Sequence, residues 1–152
     1  MVSRAEQNER DPDLGVLAVR LLFGVQDELF SRLAAEGFDD LRPRHGAVMA
    51  YVDEAGVRAT RLAELSGQHK QVVGKLVDEL VVLGYLERRP DPADGRAKLI
   101  YPTERGLAEM RAGGRIMAAL QARHARRLGK DVYGVFKAAL MDITAHQRDR
   151  RS

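Results

Sequence analysis

Lys70, Gln71, Gly74 and Asp78 recur at helical spacing along the segment 70–83, opposite an apolar face of Leu76, Leu80 and Leu83 with Val72 and Val73. A helix that buries the second set must display the first. Glutamine can bond an adenine edge through both ends of its amide, and lysine reaches guanine acceptors or phosphate oxygens. Lys70 and Gln71 stand at the N-terminal end, where helices that enter a major groove meet base edges. Gly74 costs about 1 kcal/mol against alanine in a helix interior. Close approach to a duplex would explain that cost, and a solvated face with an indifferent glycine is the plainer alternative.

Other chemistries find little to work with. The chain has no cysteine, which removes thiolate metal sites, cysteine nucleophiles and thiol redox sensing. His45, His69, His124 and His146 show no ligand spacing such as H-x-x-x-H, so no metal site is expected. There is no Gly-x-Ser-x-Gly element, no P-loop and no dinucleotide fingerprint. The chain is not expected to be an enzyme, and no cofactor is expected. Lys and Arg number 25 against 22 Asp and Glu, a net charge of +3 that permits nucleic-acid binding without arguing for it. Arg111, Arg115, Arg123, Arg126 and Arg127 read as a solvated face, with the N-terminal part of that helix bordering DNA as the alternative.

The 152 residues are enough for one domain, and 45% hydrophobic content is enough for a packed core. No apolar run reaches the roughly 20 residues of a membrane span, and the polar start lacks the apolar stretch of a signal peptide. A cytoplasmic chain is the expectation, with no membrane partner. Residues 1–12 read as a flexible leader, 13–148 as a single domain and 149–152 as a tail. In 13–36, Leu14, Leu17, Ala18, Leu21, Val25 and Leu29 form one apolar stripe. Val16, Val19, Phe23 and Phe30 form a second, nearly opposite. Such a helix is either central to its own domain or wedged against a partner subunit.

A short helix over 42–51 has Pro43 suited to its first turn, an extended piece covers 56–59, and Thr60 is placed to cap a helix over 61–65. Ser66-Gly67 breaks it, and Gly84 ends the helix 70–83. Strands at 86–89 and 98–101 flank a turn-rich stretch in which Asp94-Gly95 signals a hairpin. Thr103 can cap a helix that must pass Gly113-Gly114, and a last helix carries Val132, Val135, Phe136, Leu140 and Ile143. The order describes a mainly α, α+β fold: a winged helix-turn-helix over 42–102 between helical segments 13–36 and 103–148.

The run Leu62–Gly106 resembles the multiple-antibiotic-resistance regulator (MarR) family of transcription factors. The specific part is Gly84-Tyr85-Leu86-Glu87-Arg88-Arg89, then Asp91-Pro92-Ala93-Asp94-Gly95-Arg96, then Thr103-Glu104-Arg105-Gly106. The resemblance implies a homodimer in which 13–36 and 103–148 interdigitate between subunits. It implies a wing whose Arg96 enters the minor groove, held by Asp94, with Arg88, Arg89 and Lys98 on phosphates or bracing the hairpin. The DNA-contacting set is then Gln68, His69, Lys70, Gln71, Gly74, Lys75, Arg88, Asp94, Arg96 and Lys98.

Three departures from the family pattern stand out. His69 replaces a capping Ser or Thr, Tyr101-Pro102-Thr103 replaces Leu-Thr, and Arg42 precedes Pro43 where a hydroxyl is common.

Together these features describe a repressor: a homodimer on a pseudo-palindromic operator in double-stranded DNA, released by a small-molecule effector in a cleft near Phe23, His45 and Met49. The competing readings are a winged-helix module for protein contacts and an architectural DNA-binding protein without an effector.

Overall fold

A computed structural model describes residues 1–151. The chain divides into two compact units, 1–113 and 114–152.

In the first unit, α1 (Arg4–Arg10) opens on a reciprocal cap: Ser3 Oγ accepts the Glu6 N–H and the Glu6 carboxylate accepts the Ser3 N–H. The segment read as a flexible leader therefore contains a helix. Asp13 Oδ1 accepts the Val16 N–H at 2.8 Å and starts α2 (Leu14–Ala35). Of all residues on α2 only Leu33 is buried, while Leu14, Leu17, Val19, Leu21, Leu22 and Phe23 stand in solvent. The exposed apolar residues of the two stripes lie in the N-terminal half of α2, while Phe30 packs against the core.

A 3-10 turn (Pro43–His45) runs into α3 (Gly46–Met49), where the sequence suggests one short helix. α4 (Ala59–Ser66) begins earlier than expected, so Thr60 lies inside its first turn and Arg58 precedes it without a side-chain cap. Gly67, at φ +70°, closes α4 as expected. The recognition-helix candidate α5 (Lys70–Val82) buries Val73, Leu76, Val77 and Leu80. Val72 is exposed, so the inner face is centred one step away from the expected one, with Val77 inside. Gly84, at φ +85°, carries the chain out of α5.

β1 (Leu86–Pro90) and β2 (Lys98–Pro102) pair antiparallel from Leu86↔Pro102 to Pro90↔Lys98. The extended piece expected at 56–59 reduces to a bridge in which Val57 and Ile100 exchange both backbone hydrogen bonds. The hairpin signalled by Asp94-Gly95 is present, with a connection that runs from Asp91 to Ala97 and a negative φ at Gly95. The core beneath joins Leu62, Val73, Val77 and Leu80 to Tyr85, Leu86 and Ile100. Each fully buried leucine there contributes about 1.5–3 kcal/mol over an exposed one, so α4, α5 and the wing are held as one block.

α6 (Glu104–Leu128) starts on Thr103, whose Oγ1 accepts the Gly106 N–H at 3.1 Å and donates to the Gly84 carbonyl at 2.6 Å. It passes Gly113-Gly114 without a break, and the division between the two units falls there.

In the second unit, α7 (Lys130–Asp149) extends through His146 and has no buried residue. Val132, Val135, Phe136, Met141 and Ile143 are exposed. Gln121 Oε1 accepts from Lys137 Nζ at 3.0 Å and from the Tyr133 hydroxyl at 3.3 Å.

Candidate nucleic-acid interface

The leading end of α5 leaves Gln68, His69, Lys70, Gln71 and Lys75 exposed. His69 holds the position before the helix but gives it no side-chain cap, so the first N–H groups of α5 remain open to an outside acceptor. A Cβ at Gly74 would meet nothing within 4 Å. The fold itself does not demand glycine there.

Wing geometry departs from expectation in one respect. Asp94 does not hold the Arg96 side chain; its Oδ1 accepts the Arg96 backbone N–H at 3.1 Å, shaping the turn. Among the described residues the Arg96 guanidinium makes no ion pair, and it is exposed at the wing tip with Lys98 at the start of β2. Arg88, in contrast, is paired: Nη2 lies 2.6 Å from Oδ1 of Asp78 on α5. Arg89 pairs with Glu87 and covers the Tyr101 ring, 4.5 Å from its centroid. Arg88 ties β1 to α5, and Arg89 reaches across the hairpin to Tyr101.

Three long-range clusters that the sequence left unread position this head. Arg58 donates from Nη2 (2.6 Å) and Nε (3.1 Å) to Oδ2 of Asp91. The Arg58 hydrogen bond, followed by the Ala93 N–H, lowers the Asp91 carboxyl below its ordinary range. Tyr85 donates its hydroxyl to Asp40 at 2.6 Å, while Arg105 bonds both oxygens of Asp40 and lies 4.2 Å over the Tyr85 ring. Burial, then the Asp40 hydrogen bond, raises the Tyr85 hydroxyl. In Asp40 burial acts upward, but the Tyr85 and Arg105 bonds outweigh it and the carboxyl falls.

The third cluster centres on His45. Its Nδ1 accepts the Arg42 N–H at 2.9 Å, which leaves the proton on Nε2 to donate to Glu79 Oε2 at 2.9 Å. Arg44 reaches the same oxygen at 3.0 Å. His45 thus supplies the reciprocal half of a cap, accepting the N–H of Arg42, and ties the 3-10 turn to α5. The bond from His45, then that from Arg44, lowers the Glu79 carboxyl.

A cleft of about 1040 Å³ opens between Leu22, Leu29 and Phe30 of α2 and Val72, Lys75 and Leu76 of α5, with Arg44 and Glu79 at its edge. A groove of about 560 Å³ shares Arg44, Lys75 and Glu79 and includes His45. Of the expected effector residues only His45 lines either space. Met49 belongs to the core, and Phe23 lies exposed on α2 outside both linings. Helical periodicity gives the face of a residue but not the neighbouring element that closes a cleft.

Residues 39–97, from the turn before Pro43 to the wing, match the model of the MarR family. The match takes in the helix-turn-helix and the first strand of the wing. A MarR-family transcriptional regulator from Rhodococcus sp. RHA1 is similar at 26% identity and TM-score 0.69, over 93% of this chain and 97% of that one. CouR from Rhodococcus jostii RHA1, in a crystal structure bound to p-coumaroyl-CoA, is similar at 28% identity and TM-score 0.70, over 86% and 91%. The repressor CouR on a 23-mer DNA duplex shares the MarR-type fold at TM-score 0.73 and 23% identity, over 93% and 99%. No curated protein matches the chain. No described helix is long and apolar enough to cross a membrane.

Proposed function

We propose that the chain is a homodimeric transcriptional repressor that reads a pseudo-palindromic operator and is released by a small molecule. The observation that carries this reading is α5, which buries Val73, Leu76, Val77 and Leu80 under the wing while leaving Lys70, Gln71 and Lys75 exposed. In this reading Gln68, His69, Lys70, Gln71, Gly74 and Lys75 face the major groove. Arg96 and Lys98 carry the wing's charge, with Asp94 shaping its turn. The exposed apolar faces of α2 and α7 are covered by a second copy of the chain, because a monomer would leave them in water. CouR, bound to a DNA duplex in one structure and to a small molecule in another, supports both halves of the proposal.

The cleft between α2 and α5 is the effector site in this reading. Its walls are largely apolar, and Glu79 is already engaged by Arg44 and His45, which leaves Lys75 as the uncompensated charge. That composition suits a ligand with an apolar body and one negative charge. Lys75 and Val72 sit on the reading helix itself, so such a ligand acts directly on the element that meets DNA. By linkage it must bind the free dimer more tightly than the DNA-bound one.

The test is footprinting on the DNA flanking the gene, followed by affinity measurements on the protected sequence. Two protected half-sites about 34 Å apart are expected. Gln71→Ala should cost about 1–3 kcal/mol on that operator and little on random duplex. Equal affinity of every variant for operator and random DNA would overturn sequence-specific reading.

A further inference from the structure

The N-terminus of α4 lacks a side-chain cap because the residue placed to supply one is an arginine, and it points elsewhere. Arg58 sends two N–H groups to one oxygen of Asp91, the first residue after β1. Asp91 organises the loop that follows. Its Oδ1 accepts the Ala93 N–H (2.9 Å), its carbonyl accepts the Asp94 N–H (3.2 Å), and its own N–H donates to the Ala97 carbonyl (3.0 Å). The Asp91 side chain is buried while Arg58 remains half exposed. Val57, the preceding residue, is bridged to Ile100 of β2. Two adjacent residues ahead of α4 therefore grip the wing, one through its backbone at β2 and one through its side chain at the root of the loop.

We propose that Arg58 is a positioning residue for the wing, fixing the direction in which loop 91–97 presents Arg96 to DNA. The inference rests on the DNA-binding reading above and adds a residue outside its contact set. The Arg58 charge is spent on Asp91, so Arg58 acts through the loop and not as a phosphate contact of its own. Without it the loop keeps its internal hydrogen bonds but loses its tie to α4, and Arg96 must be ordered at the moment of binding.

Arg58→Thr supplies a capping hydroxyl to α4, so the variant is expected to fold. Its affinity for the footprinted operator should fall roughly 5–10-fold in the native background. With Arg96→Ala already present, the same change should cost less than about 2-fold, since acting through Arg96 makes the two losses non-additive. Arg58→Lys, which retains a cation, should recover part of the loss. Because the chain has no cysteine, a nitroxide on Gly95→Cys reports the loop alone. Its spectrum should sharpen in Arg58→Thr without any DNA present. An unchanged nitroxide spectrum, or equal affinity losses in both backgrounds, would overturn the proposal. If the native protein binds no duplex, the functional reading fails, and the spectrum still shows whether Arg58 holds the loop.

Discussion

The guanidinium of Arg88 donates to Asp78 at 2.6 Å, joining the first strand of the wing to the exposed face of the recognition helix. The pair neutralises one cation and one anion on the side of the head assigned to DNA. Exposed pairs of this kind contribute about 0–1 kcal/mol to stability. The larger consequence is electrostatic. Asp78→Asn should free Arg88 and remove a charge that repels phosphate, raising random-duplex affinity several-fold and steepening the salt dependence by about one unit. Affinities at three or more salt concentrations decide it; an unchanged slope would show that this face stays away from the backbone.

His45 is buried with both ring nitrogens engaged, by the Arg42 N–H and by Glu79. His45→Phe keeps a ring in the space but leaves the Arg42 N–H without an acceptor. A loss of about 1–3 kcal/mol is expected in urea unfolding. A variant as stable as the parent would mean that the link between the 3-10 turn and α5 is incidental.

Glu109 is buried on α6 and makes no hydrogen bond or ion pair among the described residues, and burial raises its carboxyl from 4.5 to about 7. Between those values the folded state holds a proton that the unfolded chain has released. Stability therefore falls as pH rises through this window, by up to the order of 3 kcal/mol. Glu109→Gln should abolish that fall and be the more stable protein at pH 8, with little difference near pH 4. Parallel pH profiles for the two proteins would sink the assignment.

Gly106 lies so close to the wing's root that an added Cβ would stand 2.1 Å from the Tyr85 carbonyl oxygen and 3.2 Å from Pro102 Cβ. The obstacle is backbone and cannot swing aside. Gly106→Ala is expected to cost about 1–3 kcal/mol or more. Gly74→Ala, in open space, should leave stability unharmed or improve it by up to about 1 kcal/mol. If its operator affinity nevertheless drops, the glycine serves the groove. A thermal melt paired with an operator titration separates the two effects.

Local chemistry was enough to read the helix-turn-helix and wing. Apolar spacing marked α5, Gly67 and Gly84 marked where helices end, and Thr103 marked the start of α6, because each depends on residues within a turn or two of one another. The rotation of α5 that exposes Val72 and buries Val77 was not legible. It is set by what packs above the helix, and periodicity alone tolerates either. The clusters that hold the head join residues 33 (Arg58–Asp91), 34 (His45–Glu79), 45 (Tyr85–Asp40) and 65 (Arg105–Asp40) positions apart. No pattern along the chain pairs a particular arginine with a particular aspartate at such separations. Only the fold, by bringing α4 to the wing and the 3-10 turn to α5, selects each partner. The same holds for the cleft: the resemblance places Lys75 among the DNA contacts, and its place in the wall facing α2 exists only once the two helices have packed.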